Sequence, residues 1–126
     1  MITIDSICRI GAEYLNGRYR NIKALEDSVK FVEKNGMPSV RQLVEAIRGI
    51  PKCENGWMLW SEDKRWQPAW YFVDGEDGDY YVGHYSTKHG KKHECRFSDK
   101  AEACAFFVKK EIEDYARILR SSTPNK

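Results

Sequence analysis

The sequence predicts an α+β fold: three N-terminal helices, a four-stranded antiparallel meander, and a long C-terminal helix packed on the sheet. Three observations carry this. Apolar residues recur every three or four positions through the first fifty residues, the period falls to two after Pro51, and a second helical stripe runs from Ala101 to Leu119. No repeat or long linker divides the chain. Residues 1–126 are therefore expected to form one domain, with a helical part over 1–50, the sheet over 57–97 and the last helix over 99–120.

Each element follows from local chemistry. Ile4, Ile7, Cys8, Gly11 and Leu15 share one helical face until Asn16-Gly17 stops it. Ile22, Leu25, Val29 and Val32 form the second stripe, opposite Lys23, Glu26, Asp27 and Lys30, and Asn35-Gly36 ends it as a C-cap. Ser39 reads as the N-cap of a third helix carrying Val40, Leu43, Val44 and Ile47, closed by Gly49 and Pro51. Trp57–Glu62 and Trp66–Val73, rich in aromatic and β-branched residues, read as the first strand pair, with SEDKR as their turn. Pro68 cannot donate a ladder hydrogen bond, so its strand belongs at an edge or at a bulge. Tyr80–Thr87 and His93–Phe97 complete the meander across an acidic turn and a KHGKK turn. Ser98 or Asp99 caps the last helix, with Glu102 in capping-box position after Asp99.

Composition bounds the function. An apolar share of 41%, which includes the aromatic residues at 13% of the chain, supports a packed core rather than disorder. Lys and Arg total 21 against 19 Asp and Glu, a net charge of +2 that is too even for a dedicated nucleic-acid binder. No apolar run approaches the ~20 residues of a membrane span. The opening MITIDSICRIGAEY has no basic stretch followed by an apolar one, so no membrane association and a cytoplasmic location are expected. Cys8, Cys53, Cys95 and Cys104 lack CxxC pairing and read as reduced thiols, three of them on apolar faces.

The segment VDGEDGDYYVGHYSTKHGKKHECRF concentrates the reactive side chains. Its acidic run fails as a calcium loop: counted from Asp74, the sixth position is Asp79 rather than Gly and the twelfth is Tyr85 rather than Glu. His84, His89, His93 and Cys95 have zinc-ligand chemistry but lack the paired short spacings of a zinc site, and Cys95 reads as a core residue. Asp74, Glu76, Asp77 and Asp79 share a glycine-punctuated turn in which water keeps all four ionised, whereas acid–base catalysis needs carboxyl groups in unlike environments. With no GxSxG, P-loop or HExxH motif, the expectation is no catalytic residue, no metal, no cofactor and no enzyme activity. The segment reads as an acidic turn, an aromatic strand and a basic turn.

What stands out is the aromatic area on the sheet. Alternation puts Trp66, Trp70 and Phe72 on one face with Tyr71 on the other, and Tyr80 on one face with Tyr81 and Tyr85 on the other. Helices cover either one face or both. If one, the rings left over suit the centre of a protein interface. The candidate partner-binding residues are Trp66, Trp70, Tyr71, Asp74, Glu76, Asp77, Asp79, Tyr81 and Tyr85.

The aromatic strand pair, the hairpin DGDYYVGHYSTKHGKKHECRFSD and the helix AEACAFFVKKEIEDY together resemble the C-terminal half of small immunity proteins. These accompany polymorphic and contact-dependent growth inhibition toxins in bacteria. Tyr80, Tyr81, Val82, Gly90, Lys91, Phe97, Ser98 and Asp99 match that outline, while Lys88-His89 stands where it has an Arg before the glycine. The resemblance spans residues 57–115. It implies a cytoplasmic inhibitor that binds a cognate toxin C-terminal domain, such as a nuclease, and blocks its active site or substrate surface. The acidic turn would then stand in for substrate phosphates, or else be simply solvated. Two other readings compete. Three helices before hairpins is the order of a winged-helix DNA-binding protein, although only Arg41 and Arg48 are basic on the third helix and Glu45 shares the Arg41 face. Sheet aromatics beside Lys88, Lys91 and Lys92 suit a single-stranded RNA module, which the acidic turn opposes.

Overall fold

The computed structural model describes residues 2–17, 20–64 and 66–122. Its order is α1 (Ile4–Gly17), α2 (Ile22–Asn35), α3 (Val40–Arg48), α4 (Cys53–Asp63), β1 (Ala69–Asp74), β2 (Tyr80–Ser86), β3 (Gly90–Phe97) and α5 (Lys100–Ser122). The fold is α+β, with a three-stranded antiparallel sheet in the order β1-β2-β3 and a long C-terminal helix against it. Among the described residues no helix is long and apolar enough to cross a membrane.

Capping chemistry sets several boundaries. Asn21 accepts from the Ala24 N–H at 3.0 Å to start α2, and Gly36, at φ 88°, donates its N–H to Val32 O to end it. Ser39 and Gln42 form a reciprocal capping box on α3. Asp99, rather than Ser98, caps α5, accepting from the Ala101 N–H at 2.8 Å.

The segment Trp57–Glu62 departs from expectation. It belongs to helix α4, so among the described residues there are four helices before the sheet and three strands rather than four. Cys53, Gly56, Trp57 and Trp60 are all buried, and they fall on one helical face. The face works because α4 lies almost backbone to backbone on α1. A Cβ at Gly56 would sit 1.9 Å from the Gly11 carbonyl oxygen, and one at Gly11 would sit 2.4 Å from the Trp57 ring. Both tryptophans bury their rings and satisfy their N–H groups: Trp57 Nε1 donates to Cys8 O at 2.9 Å and Trp60 Nε1 to Glu111 Oε2 at 2.8 Å. Ser61, Glu62 and Asp63, expected in a turn, are the last turn of this helix.

The sheet boundaries also move. The strand expected from Trp66 begins at Ala69, just past Pro68, and β1 is an edge strand as the proline requires. β3 starts at Gly90 rather than His93. One face of the sheet packs on α5 and α4. Phe72 meets Phe107, Phe97 meets Phe106, and Val82, opposite Phe72 in register, is buried in the same core. Behind them lie Ile7, Leu25, Leu43, Ile47, Trp57 and Trp60. Cys8, Cys53 and Cys104 are buried in this core, but Cys95, expected there, is exposed.

Candidate functional site

Strand register divides the sheet side chains in two. Trp70, Phe72, Tyr80, Val82 and His84 point to the helices, while Tyr71, Val73, Tyr81 and Tyr85 point away from them. No described helix covers the second set, and Val73 and Tyr85 are the exposed large hydrophobic residues. The expected distribution of Trp70, Phe72, Tyr71, Tyr80, Tyr81 and Tyr85 between the faces is the observed one.

The open face is tied together by its own polar groups. The Tyr71 hydroxyl donates to Glu94 on β3, and its ring lies across Gly83, where a Cβ would meet the phenol oxygen at 2.4 Å. Glycine is required there because the ring occupies the space a side chain would need. The Tyr81 hydroxyl donates to Asp77 Oδ2, and Asp77 Oδ1 accepts from the Asp79 N–H at 3.0 Å. Asp79 in turn accepts from Arg96 Nε at 2.5 Å, and Arg96 approaches Asp77 at 3.6 Å. Lys91 lies 5.5 Å from the centre of the Tyr71 ring. Burial, followed by the bond to Glu94, pushes the Tyr71 phenol up. The bond to Asp77 raises the Tyr81 phenol and, reciprocally, holds the Asp77 carboxyl below the ordinary carboxylate range. The Asp79 bond raises Arg96. Tyr71, Tyr81 and Arg96 on this face are thus each tied to a partner from a neighbouring strand or turn.

Of the nine candidate residues, the structure brings together Tyr71, Tyr81, Tyr85, Asp77 and Asp79. The other four lie elsewhere. Trp70 faces the helices, its ring 5.3 Å from His84 and 6.4 Å from Phe106, with Lys110 Nζ 5.3 Å away. Trp66 precedes β1 and lies beside Arg20 and Lys64, next to a cleft shared with Ile22, Tyr115 and Ile118. Asp74 lines a cleft of about 410 Å³ between α4 and β1, with Met58, Leu59 and Val73. Glu76 is exposed in the turn. Sequence reasoning missed Val73, Glu94 and Arg96, and placed Lys91 beside the sheet aromatics only in the RNA-binding reading. Val73 shares a face with Tyr71 by strand alternation and was legible. The β3 residues were not, because a register shift between Val82 and His84 resets their alternation.

Among the described residues no group of three or more His, Cys, Asp or Glu is arranged to hold a metal ion. Away from the open face lies a buried ionic group: Lys64 Nζ donates to Glu111 Oε1 at 2.5 Å and to Trp70 O at 2.9 Å, with both side chains almost fully enclosed. It seals the end of the helix-covered core. The chain matches no family model, and no curated protein or solved structure is significantly similar to it.

Proposed function

We propose that this chain is an immunity protein that docks the open face of its sheet on a cognate bacterial toxin domain and neutralises it by occlusion, without a catalytic step. The observation that carries this reading is the uncovered tyrosine face, with Tyr71 and Tyr81 each tethered by a hydroxyl–carboxylate bond. Aromatic anchors supply most of the affinity of small interfaces. Anchors already fixed before binding lose little entropy on docking, which is where many interfaces lose affinity. The surrounding charge fits a protein partner better than nucleic acid. Asp77, Asp79 and Glu94 ring the face against Lys91 and Arg96, three negative groups to two positive, and Arg96 is already paired. A duplex-binding role for α3 is disfavoured on similar grounds, since Arg41 approaches Glu45 at 3.8 Å and Arg48 pairs with Asp99.

The reading expects a toxin in the neighbouring reading frame, and the test is a calorimetric titration against the C-terminal domain encoded there. Wild type should bind saturably and protect cells expressing that domain. Tyr81→Ala with Tyr85→Ala should weaken binding by about 10- to 100-fold with an unchanged circular dichroism spectrum. Unaltered affinity in that double variant overturns the assignment of this face, and a gel shift on single-stranded RNA without binding to the toxin domain would replace the reading.

A further inference from the structure

The β2–β3 end of the sheet carries a second site, on the helix-facing side and away from the tyrosine face. A cleft of about 350 Å³ is lined by all three histidines of the chain, His84, His89 and His93, together with Lys88 and Lys92. That volume suits a small ligand. No carboxylate is among its lining residues.

The convergence is produced by the backbone. Register runs Val82↔Cys95 and then His84↔Lys92, so Gly83 faces two residues, His93 and Glu94, where regular pairing would give one. This is a β-bulge, and His93 sits in it at φ 58°, in the left-handed region. In an unbulged strand His93 and Lys92 would point to opposite faces; the extra residue turns both to the side of His84. Other contacts hold the walls. Gln67 Oε1 accepts from the Thr87 N–H at 3.0 Å, tying the turn to the segment before β1, and Ser86 Oγ accepts from the His89 N–H at 3.0 Å. His84 rests edge-on against Trp70, and Lys110 of α5 lies over that same ring and approaches Glu113 at 3.4 Å.

We infer that this cleft binds a phosphate-type oxyanion, free or carried as a monoester on a small organic molecule. Two ammonium groups supply charge, three imidazoles supply N–H donors, and the ring faces with Pro68 supply apolar contact for the organic part.

The experiment is a nuclear magnetic resonance titration of the full chain with inorganic phosphate and, separately, ribose 5-phosphate, with chloride at matched ionic strength as reference. Saturable shifts at the three histidine rings are expected with Kd at about 1 mM or below. Tighter binding of ribose 5-phosphate marks a phosphorylated small molecule as the ligand, and equal binding marks the free ion. Lys92→Gln with His93→Gln should abolish saturation, whereas Tyr85→Ala should leave it unchanged. Shifts indistinguishable from those in chloride, or saturation that survives the Lys92/His93 double variant, overturn the site.

Discussion

On the helix-covered side of the sheet Phe72 and Val82 are closed to 1% and 0% exposure, whereas on the other side Val73 and Tyr85 keep 40% and 38%. The same three strands therefore hold rings in two ways. On the covered side Phe106 and Phe107 of α5 exclude water, and stabilisation comes from apolar area and ring packing. On the open side the Tyr71 and Tyr81 rings stay half-wet and are fixed by hydroxyl–carboxylate bonds that need no covering layer, and Tyr85 stands exposed. The first arrangement stabilises the fold, and the second leaves rings at the surface without adding much stability; under the proposed function that surface is what a partner meets. Mutations should separate the two.

The largest difference is expected between Phe72→Ala and Tyr85→Ala. Truncating Phe72 removes a fully buried ring and should lower unfolding free energy by about 3–5 kcal/mol. Truncating Tyr85 should change it by no more than about 0.5 kcal/mol. Urea denaturation measures both. Comparable losses would mean that the tyrosine face is part of the core, and the distinction would be lost.

Next is the buried pair that closes the covered side. Glu111→Gln leaves the Lys64 ammonium enclosed without its counter-charge, which should cost about 3 kcal/mol, the amide oxygen still accepting from Trp60. Burial lowers the Lys64 pKa below its ordinary value, with the attraction of Glu111 opposing the fall. Between the lowered value and the ordinary lysine pKa of about 10.4, the unfolded chain binds more protons than the folded one, so stability should climb as pH rises through that window. Lys64→Met should flatten this alkaline limb in melts followed by circular dichroism. A limb unchanged in that variant would assign the effect to another group.

The contrast between the faces also explains what the sequence disclosed. Helices α2, α3 and α5 were legible because capping residues and apolar stripes agree in each of them. The division of tyrosines was legible because period two is a property of any strand, whatever covers it. Segment α4 was misread because Trp57 and Trp60 have strand propensity when taken alone. Its helical state depends on Gly56 meeting Gly11, some forty-five residues earlier, a contact that no local pattern encodes. Trp66 was placed on the sheet because the strand was begun three residues early, and Glu94 and Arg96 went unseen because a bulge leaves no mark in composition. Asp77 and Asp79 were picked as free charge for a partner. The structure shows them already engaged by Tyr81 and Arg96, so on the proposed reading they would orient rings as much as present charge.

The smallest effect tests that last point. Tyr81→Phe keeps the ring and removes the hydroxyl that, ahead of the Asp79 N–H, holds the Asp77 pKa down. The Asp77 carboxyl should then titrate nearer the ordinary aspartate value of about 3.9, followed through its side-chain carbon resonance. A folded pKa depressed below the unfolded one contributes stability that is present above the unfolded value and is lost as pH falls through the folded value. The variant should therefore lose a little stability at neutral pH and differ less from wild type in acid. Because Asp77 is exposed, the resonance is the sensitive readout and the melting curve is not. If the carboxyl titrates as before, the hydroxyl does not orient the turn, and Tyr81 is held on the open face by packing alone.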